Sequence, residues 1–188
     1  MTMTMNPQDA AAALSEVEQT QWRSSRSLGY RIASRHMILW GAVWLVGYSL
    51  MGVLAADDWW KIWLPADLVG VGGSMWIGLS RSGRNPAARG ETWRSLALSA
   101  LGGVFLGVVY LLFQPRTVEI YQVFPAIIVG GLYTCIGLFR MPRFLAIGVW
   151  IFAAALVGHV FMKPWLALWL AGAVGGAMLL GGFWLRKV

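Results

Sequence analysis

Polar residues crowd the first 35 positions, and from Met37 onward long apolar runs alternate with short polar breaks. The runs cover Met37 to Leu54, Trp63 to Ser80, Leu96 to Phe113, Gln122 to Phe139, Phe144 to Met162 and Trp165 to Trp184. Each approaches the ~20 residues that a helix needs to cross a hydrocarbon core. A membrane barrel would instead need segments of about ten residues with alternating polarity, and these runs do not alternate. The pattern predicts an all-α, polytopic membrane bundle of six transmembrane helices over residues 36–188.

Residues 1–35 read as a cytoplasmic amino-terminal segment with an amphipathic helix. Asn6 can cap it, Pro7 suits its first position, and Ala10 to Gln21 are mainly good helix formers. Leu14 and Val17 form a short apolar stripe, which could rest on the membrane surface, pack beneath the bundle or meet a partner; surface association is the simplest expectation. The segment lacks the apolar core of a signal peptide, so the first span is expected to act as its own insertion signal.

Composition agrees: 58% of residues are hydrophobic and 12% charged, and the mean hydropathy is +0.63. A net charge of +7 would suggest nucleic acid in a soluble chain, but the positions of the charges argue otherwise. With the amino terminus inside, Arg23, Arg26, Arg31, Arg35, Arg81, Arg84, Arg89, Arg94, Arg140, Arg143, Arg186 and Lys187 are cytoplasmic; Lys61, Arg116 and Lys163 are outside. This is the positive-inside pattern of a bacterial inner-membrane protein with both termini cytoplasmic. Its basic residues are expected to meet anionic head groups of the lipid bilayer, not nucleic acid.

A glycine phrase recurs in every even-numbered span, as Val71-Gly72-Gly73, Val129-Gly130-Gly131 and Val174-Gly175-Gly176. The odd spans echo as well, LVGYSLM at 45–51 resembling LVGHVFM at 156–162. These echoes predict three repeated helical hairpins. No Lys-Ser or Lys-Thr follows the glycines, so they are not phosphate loops. Small residues let helices approach closely in lipid, which makes Gly72, Gly73, Gly103, Gly107, Gly130, Gly131, Gly172, Gly175 and Gly176 the expected packing positions. Of the twelve tryptophans, Trp59, Trp60, Trp63 and Trp165 fall at the outer boundary and Trp22, Trp93 and Trp184 near the inner one; Trp40, Trp44, Trp76, Trp150 and Trp169 lie deeper, lining a cavity or filling the core.

Ionisable groups within spans are costly and therefore informative. Asp67 is the one carboxylate inside a predicted span, and His159 lies at comparable depth near the outer end of the fifth. A candidate polar outer-leaflet site combines Asp67, His159 and Tyr48, the last being the repeat equivalent of His159. Alternatively, Pro65 starts the second helix and Asp67 is a first-turn acid favoured by the helix dipole. Ser49 lacks a nucleophile elbow, the two histidines sit on opposite faces without a zinc motif, and Cys135 is the sole cysteine. The chain is thus expected to be no enzyme and to hold no metal or cofactor. The loop at 81–94 carries four arginines against Glu91 and reads as a solvated turn or a docking element.

WGAVWLVGY at 40–48 and GLYTCIGLFRMPRFLAIGVW at 131–150 resemble an uncharacterised family of small bacterial membrane proteins with a Trp-Gly-x-x-Trp-Leu-x-Gly-aromatic first span. The resemblance implies a charged amino-terminal helix and a membrane protein or possible transporter, and it carries no catalytic residues. Two functions are expected from the sequence. The first is a small-solute transporter or channel with selectivity at the outer polar site. The alternative is a non-enzymatic membrane scaffold or regulator that presents its amino-terminal helix and arginine loop to a cytoplasmic protein partner.

Overall fold

The computed structural model describes residues 7–54, 59–82 and 86–187, and these are helical apart from short turns. Asn6, Asp57, Asp58 and Arg84 lie outside the described residues, as do the side chains of Arg81, Arg89 and Glu91; of the expected arginine loop at 81–94, the backbone is described as the end of α2 through Ser82 and as the start of α3 from Pro86. The elements are α1 (Pro7–Val53), α2 (Trp59–Ser82), α3 (Pro86–Phe113), α4 (Val118–Phe139) and α5 (Pro142–Phe161). A 3₁₀ turn at Lys163–Trp165 then leads into α6 (Leu166–Leu170), a π-helical turn at Ala171–Gly175, and α7 (Gly176–Leu185). The last three follow without interruption as one sixth rod. Five helices are long and apolar enough to cross a membrane; in α3 the described apolar part, Ala100–Phe113, is shorter.

The amino-terminal helix and the first apolar run form a single α1 of 47 residues, about 70 Å long. No helix-breaking proline separates the polar part from the apolar part, so hydrogen bonding continues through the change in composition. The amphipathic segment therefore does not turn aside from the first span, as it would have to do to lie flat beside it. From Leu14 to Arg26 every α1 residue is exposed, and Tyr30, at 3% exposure, is the first deeply buried one. Roughly the first 30 Å of the helix thus project beyond the packed bundle.

The sixth rod packs along α1, α5 packs on both that rod and α4, α2 lies on the other flank of α1, and α3 lies mainly on α2. The two most intimate pairs are α4–α5 and α1 with the sixth rod, so the packing is not repeated from one predicted hairpin to the next. On α1 the close face runs Ser34, Ile38, Gly41, Leu45, Tyr48, at alternating spacings of four and three residues, as in a coiled-coil seam. Ser34 is fully buried and its Oγ donates to the Gly182 carbonyl at 2.7 Å. A Cβ added at Gly41 would stand 2.8 Å from the Leu179 amide nitrogen, and one at Gly175 would stand 2.7 Å from that of Leu45. In the α4–α5 pair a Cβ at Gly130 would lie 2.7 Å from the Phe152 amide nitrogen, and Cβ atoms at Gly137 and Gly148 would strike the backbones of Leu145 and Thr134. Backbone lies against backbone in both pairs, which is how helices gain dispersion contacts where lipid offers no hydrophobic drive.

Only some of the expected packing glycines have this role. Gly73 faces the Leu39 side chain, and Gly130 and Gly175 face backbone, whereas nothing lies within 4 Å of a Cβ placed at Gly72, Gly103, Gly107, Gly131, Gly172 or Gly176. Adjacent helical residues point about 100° apart, so in each Val-Gly-Gly phrase one glycine meets a neighbouring helix and the other does not. Gly41, Gly137, Gly148 and Gly182, which lie outside the repeated phrase, supply further close approaches to backbone, and Gly52, Gly70 and Gly158 give way to side chains of Leu168, Trp40 and Trp169.

Candidate functional site

At the end of the bundle opposite the projecting helix, aromatic side chains from α1, α2, α3 and α4 meet around Tyr48. The Tyr48 ring is 1% exposed and its hydroxyl donates to the Gln122 carbonyl at 2.7 Å. Trp44 and Trp63 meet the Tyr48 ring edge-on, with centroids 5.8 Å and 4.8 Å away. Trp63 Nε1 donates to Met51 Sδ at 2.8 Å. Tyr110 of α3 stacks obliquely on Tyr121 at 4.8 Å and donates its hydroxyl to the Tyr121 carbonyl at 3.0 Å. Aromatic rings with a polar tip suit this cluster, where the ring packs on apolar neighbours and the hydroxyl or N–H reaches an acceptor.

The Asp67 side chain is exposed at the flank of α2, one helical turn beyond Trp63, whose ring packs against Tyr48. It is not a first-turn acid: α2 begins at Trp59 and carries Pro65 inside it, a placement that membrane helices tolerate. His159 belongs to a different neighbourhood. Its Nδ1 is buried without a hydrogen-bond partner, and Glu119, in the first turn of α4, is within electrostatic reach of it and of Lys163 beyond α5. Among the described residues no hydrogen bond joins Tyr48, Asp67 and His159. Cys135 is exposed on α4, and no group of three or more His, Cys, Asp or Glu side chains gathers among the described residues.

The deep tryptophans divide by role. Trp40 Nε1 donates to Ser74 Oγ at 3.2 Å, Trp150 Nε1 to the Ala173 carbonyl at 2.9 Å, and Trp169 Nε1 to the Ala154 carbonyl at 2.8 Å. Each of these bonds bridges two helices. Trp76 is 76% exposed on the outside of α2.

The bundle interior is filled by Met37, Tyr48, Ala126, Ile151, Ala155, Leu170, Val174, Met178 and Leu185. At the end near the projecting helix a second polar cluster closes it, one that sequence reasoning missed. Arg143, at the start of α5, donates from Nη1 to the Trp184 carbonyl at 3.1 Å and lies over the Trp184 and Tyr30 rings at 5.1 Å and 5.8 Å. Its backbone N–H donates to the Tyr30 hydroxyl at 3.3 Å, and Tyr30 stacks on Phe144. The available signal was an arginine two residues after the turn that follows α4, facing aromatic residues near the ends of two other spans. Compared with known proteins, the chain matches no family model, no curated protein and no solved structure.

Proposed function

We propose that this chain is a six-span protein of a bacterial inner membrane, without enzymatic activity, whose closed bundle is a platform for its projecting amino-terminal helix. Both termini face the cytoplasm in this reading, as the basic residues require. The observation that carries it is the continuity of α1: one helix runs from the core seam at Ser34 to Tyr48 out to Pro7, so whatever holds the outer part is coupled rigidly to the bundle. Leu14 and Val17 are exposed on one side of that extension and Glu16 on the opposite side, which suits a helical protein partner that buries the apolar stripe. A central transport route has less support, since apolar side chains and backbone contacts fill the space between α1, α5 and the sixth rod. Duplication of a hairpin remains the origin we infer for the sequence echoes, with later divergence of the packing.

Site-specific photo-crosslinking in cells tests this reading. A benzoylphenylalanine residue at position 14 or 17 is expected to give the same discrete protein adduct, and one at position 16 none. Equal, diffuse labelling at all three positions would contradict a docked helix face.

A further inference from the structure

Where α1 leaves the bundle, Leu28, Arg31 and Arg35 line one face of it at helical spacing, and Arg186 approaches from the end of α7. Together these four residues enclose an open cleft of about 540 Å³. Among the described residues no carboxylate lines it. Glu18, the nearest described acid along α1, is thirteen residues before Arg31, about 20 Å away along the helix. Three guanidinium groups drawn to one cleft repel each other, and an anion that sits among them removes that repulsion.

The cleft is also held in shape. The buried Ser34 Oγ to Gly182 bond and the close approach of Gly182 to Ile38 fix α7 against α1 within a turn of the arginines. Leu185, fully buried, anchors the residue before Arg186. The last carbonyls of α7 are already used: that of Phe183 accepts from the Arg186 amide, and that of Trp184 from the Lys187 amide and from Arg143. The Arg186 guanidinium itself lies over the Phe183 ring at 5.5 Å. Arg35 lies two residues before the first apolar run and Arg186 two residues after the last, about 3 Å outside each boundary, the depth of lipid phosphates.

We propose that Arg31, Arg35 and Arg186 form a phosphate-binding site, with the planar guanidinium forks gripping phosphate oxygens and Leu28 covering the apolar side of the ligand. The phosphate belongs either to an anionic phospholipid head group or to a free phosphate. The lipid source rests on the membrane reading above; the site itself does not depend on partner docking by Leu14 and Val17.

The test is native mass spectrometry of the full chain in neutral detergent, with phosphatidylglycerol, phosphatidylcholine and inorganic phosphate as separate probes. The variants are Arg31→Gln/Arg35→Gln, Arg186→Gln, and the control pair Arg23→Gln/Arg26→Gln on the free part of α1. Each arginine removed from the cleft is expected to weaken binding about fivefold, from roughly 1 kcal/mol per surface arginine. The control pair should change it less than twofold. Arginine-dependent binding of phosphatidylglycerol, with phosphatidylcholine weaker and phosphate inactive, identifies a lipid site; arginine-dependent binding of inorganic phosphate identifies a free-phosphate site. Equal losses in the cleft and control variants, or none in the cleft variants, would overturn the proposal. The cleft side chains are exposed, so all the variants are expected to fold, and Arg31→Lys/Arg35→Lys, which keeps the charge but loses the fork, should fall between wild type and the glutamine pair.

Discussion

Gly130→Leu is expected to lower the melting temperature of the detergent-solubilised protein by roughly 6 to 12 °C, and Gly72→Leu to leave it within about 1 °C. The two glycines occupy corresponding phrases in α4 and α2, yet their surroundings differ. A Cβ at Gly130 would meet the Phe152 backbone at 2.7 to 3.0 Å, and backbone cannot move aside as a flexible side chain can. A leucine there must push α4 and α5 apart, which also loosens Gly148 and Gly137 in the same interface. Overpacking costs about 1 to 3 kcal/mol even where side chains can adapt, so the upper part of that range applies to a backbone contact. At Gly72 nothing lies within 4 Å, and the leucine projects away from the bundle. Thermal scanning of both variants by size-exclusion chromatography decides the matter; equal melting temperatures would contradict the packing described here.

Tyr48→Ala should destabilise the bundle by about 3 kcal/mol and Tyr48→Phe by about 1 kcal/mol. The alanine leaves a cavity between Trp44 and Trp63 and breaks the link from α1 to the start of α4, whereas the phenylalanine removes only the bond to the Gln122 carbonyl. In lipid the unfolded reference is itself apolar, so the cost comes from lost contacts and the unfilled space, with little from water transfer. Denaturation in mixed micelles with increasing anionic detergent measures both values. If Tyr48→Ala were no worse than Tyr48→Phe, the aromatic cluster would not hold that end of the molecule.

The helical character of the chain and the places where the helices turn were legible in the apolar runs. The predicted fourth and fifth runs, ending at Phe139 and Met162, finish within one residue of α4 and α5. The continuity of α1 was not, because a change from polar to apolar composition resembles a boundary, while only a broken hydrogen-bond ladder makes one. Nor could the phrase Val-Gly-Gly show which of its glycines faces a neighbour: that depends on helix rotation, which is fixed by partners distant in sequence such as Phe152 and Leu45. His159 illustrates the same limit. It occupies the repeat position of Tyr48, but Tyr48 sits on the central α1 among aromatic rings with its hydroxyl satisfied, whereas His159 sits on α5 with Nδ1 buried and without a hydrogen-bond partner, so equivalent positions have unlike surroundings. The arginine cleft went unread because its arginines are 155 residues apart at the extremes, between Arg31 and Arg186.

The central claim is that the bundle is a closed platform, and thiol accessibility tests it most directly. In a Cys135→Ser background, Ala155→Cys and Val174→Cys place single thiols at fully buried positions on α5 and the sixth rod, and Leu14→Cys places one on the projecting helix. A charged, membrane-impermeant thiol reagent applied to opened vesicles is expected to modify position 14 completely and positions 155 and 174 not at all. Modification at 155 and 174 in a folded protein would mean that water reaches the centre of the bundle, and the closed platform would give way to a conduit.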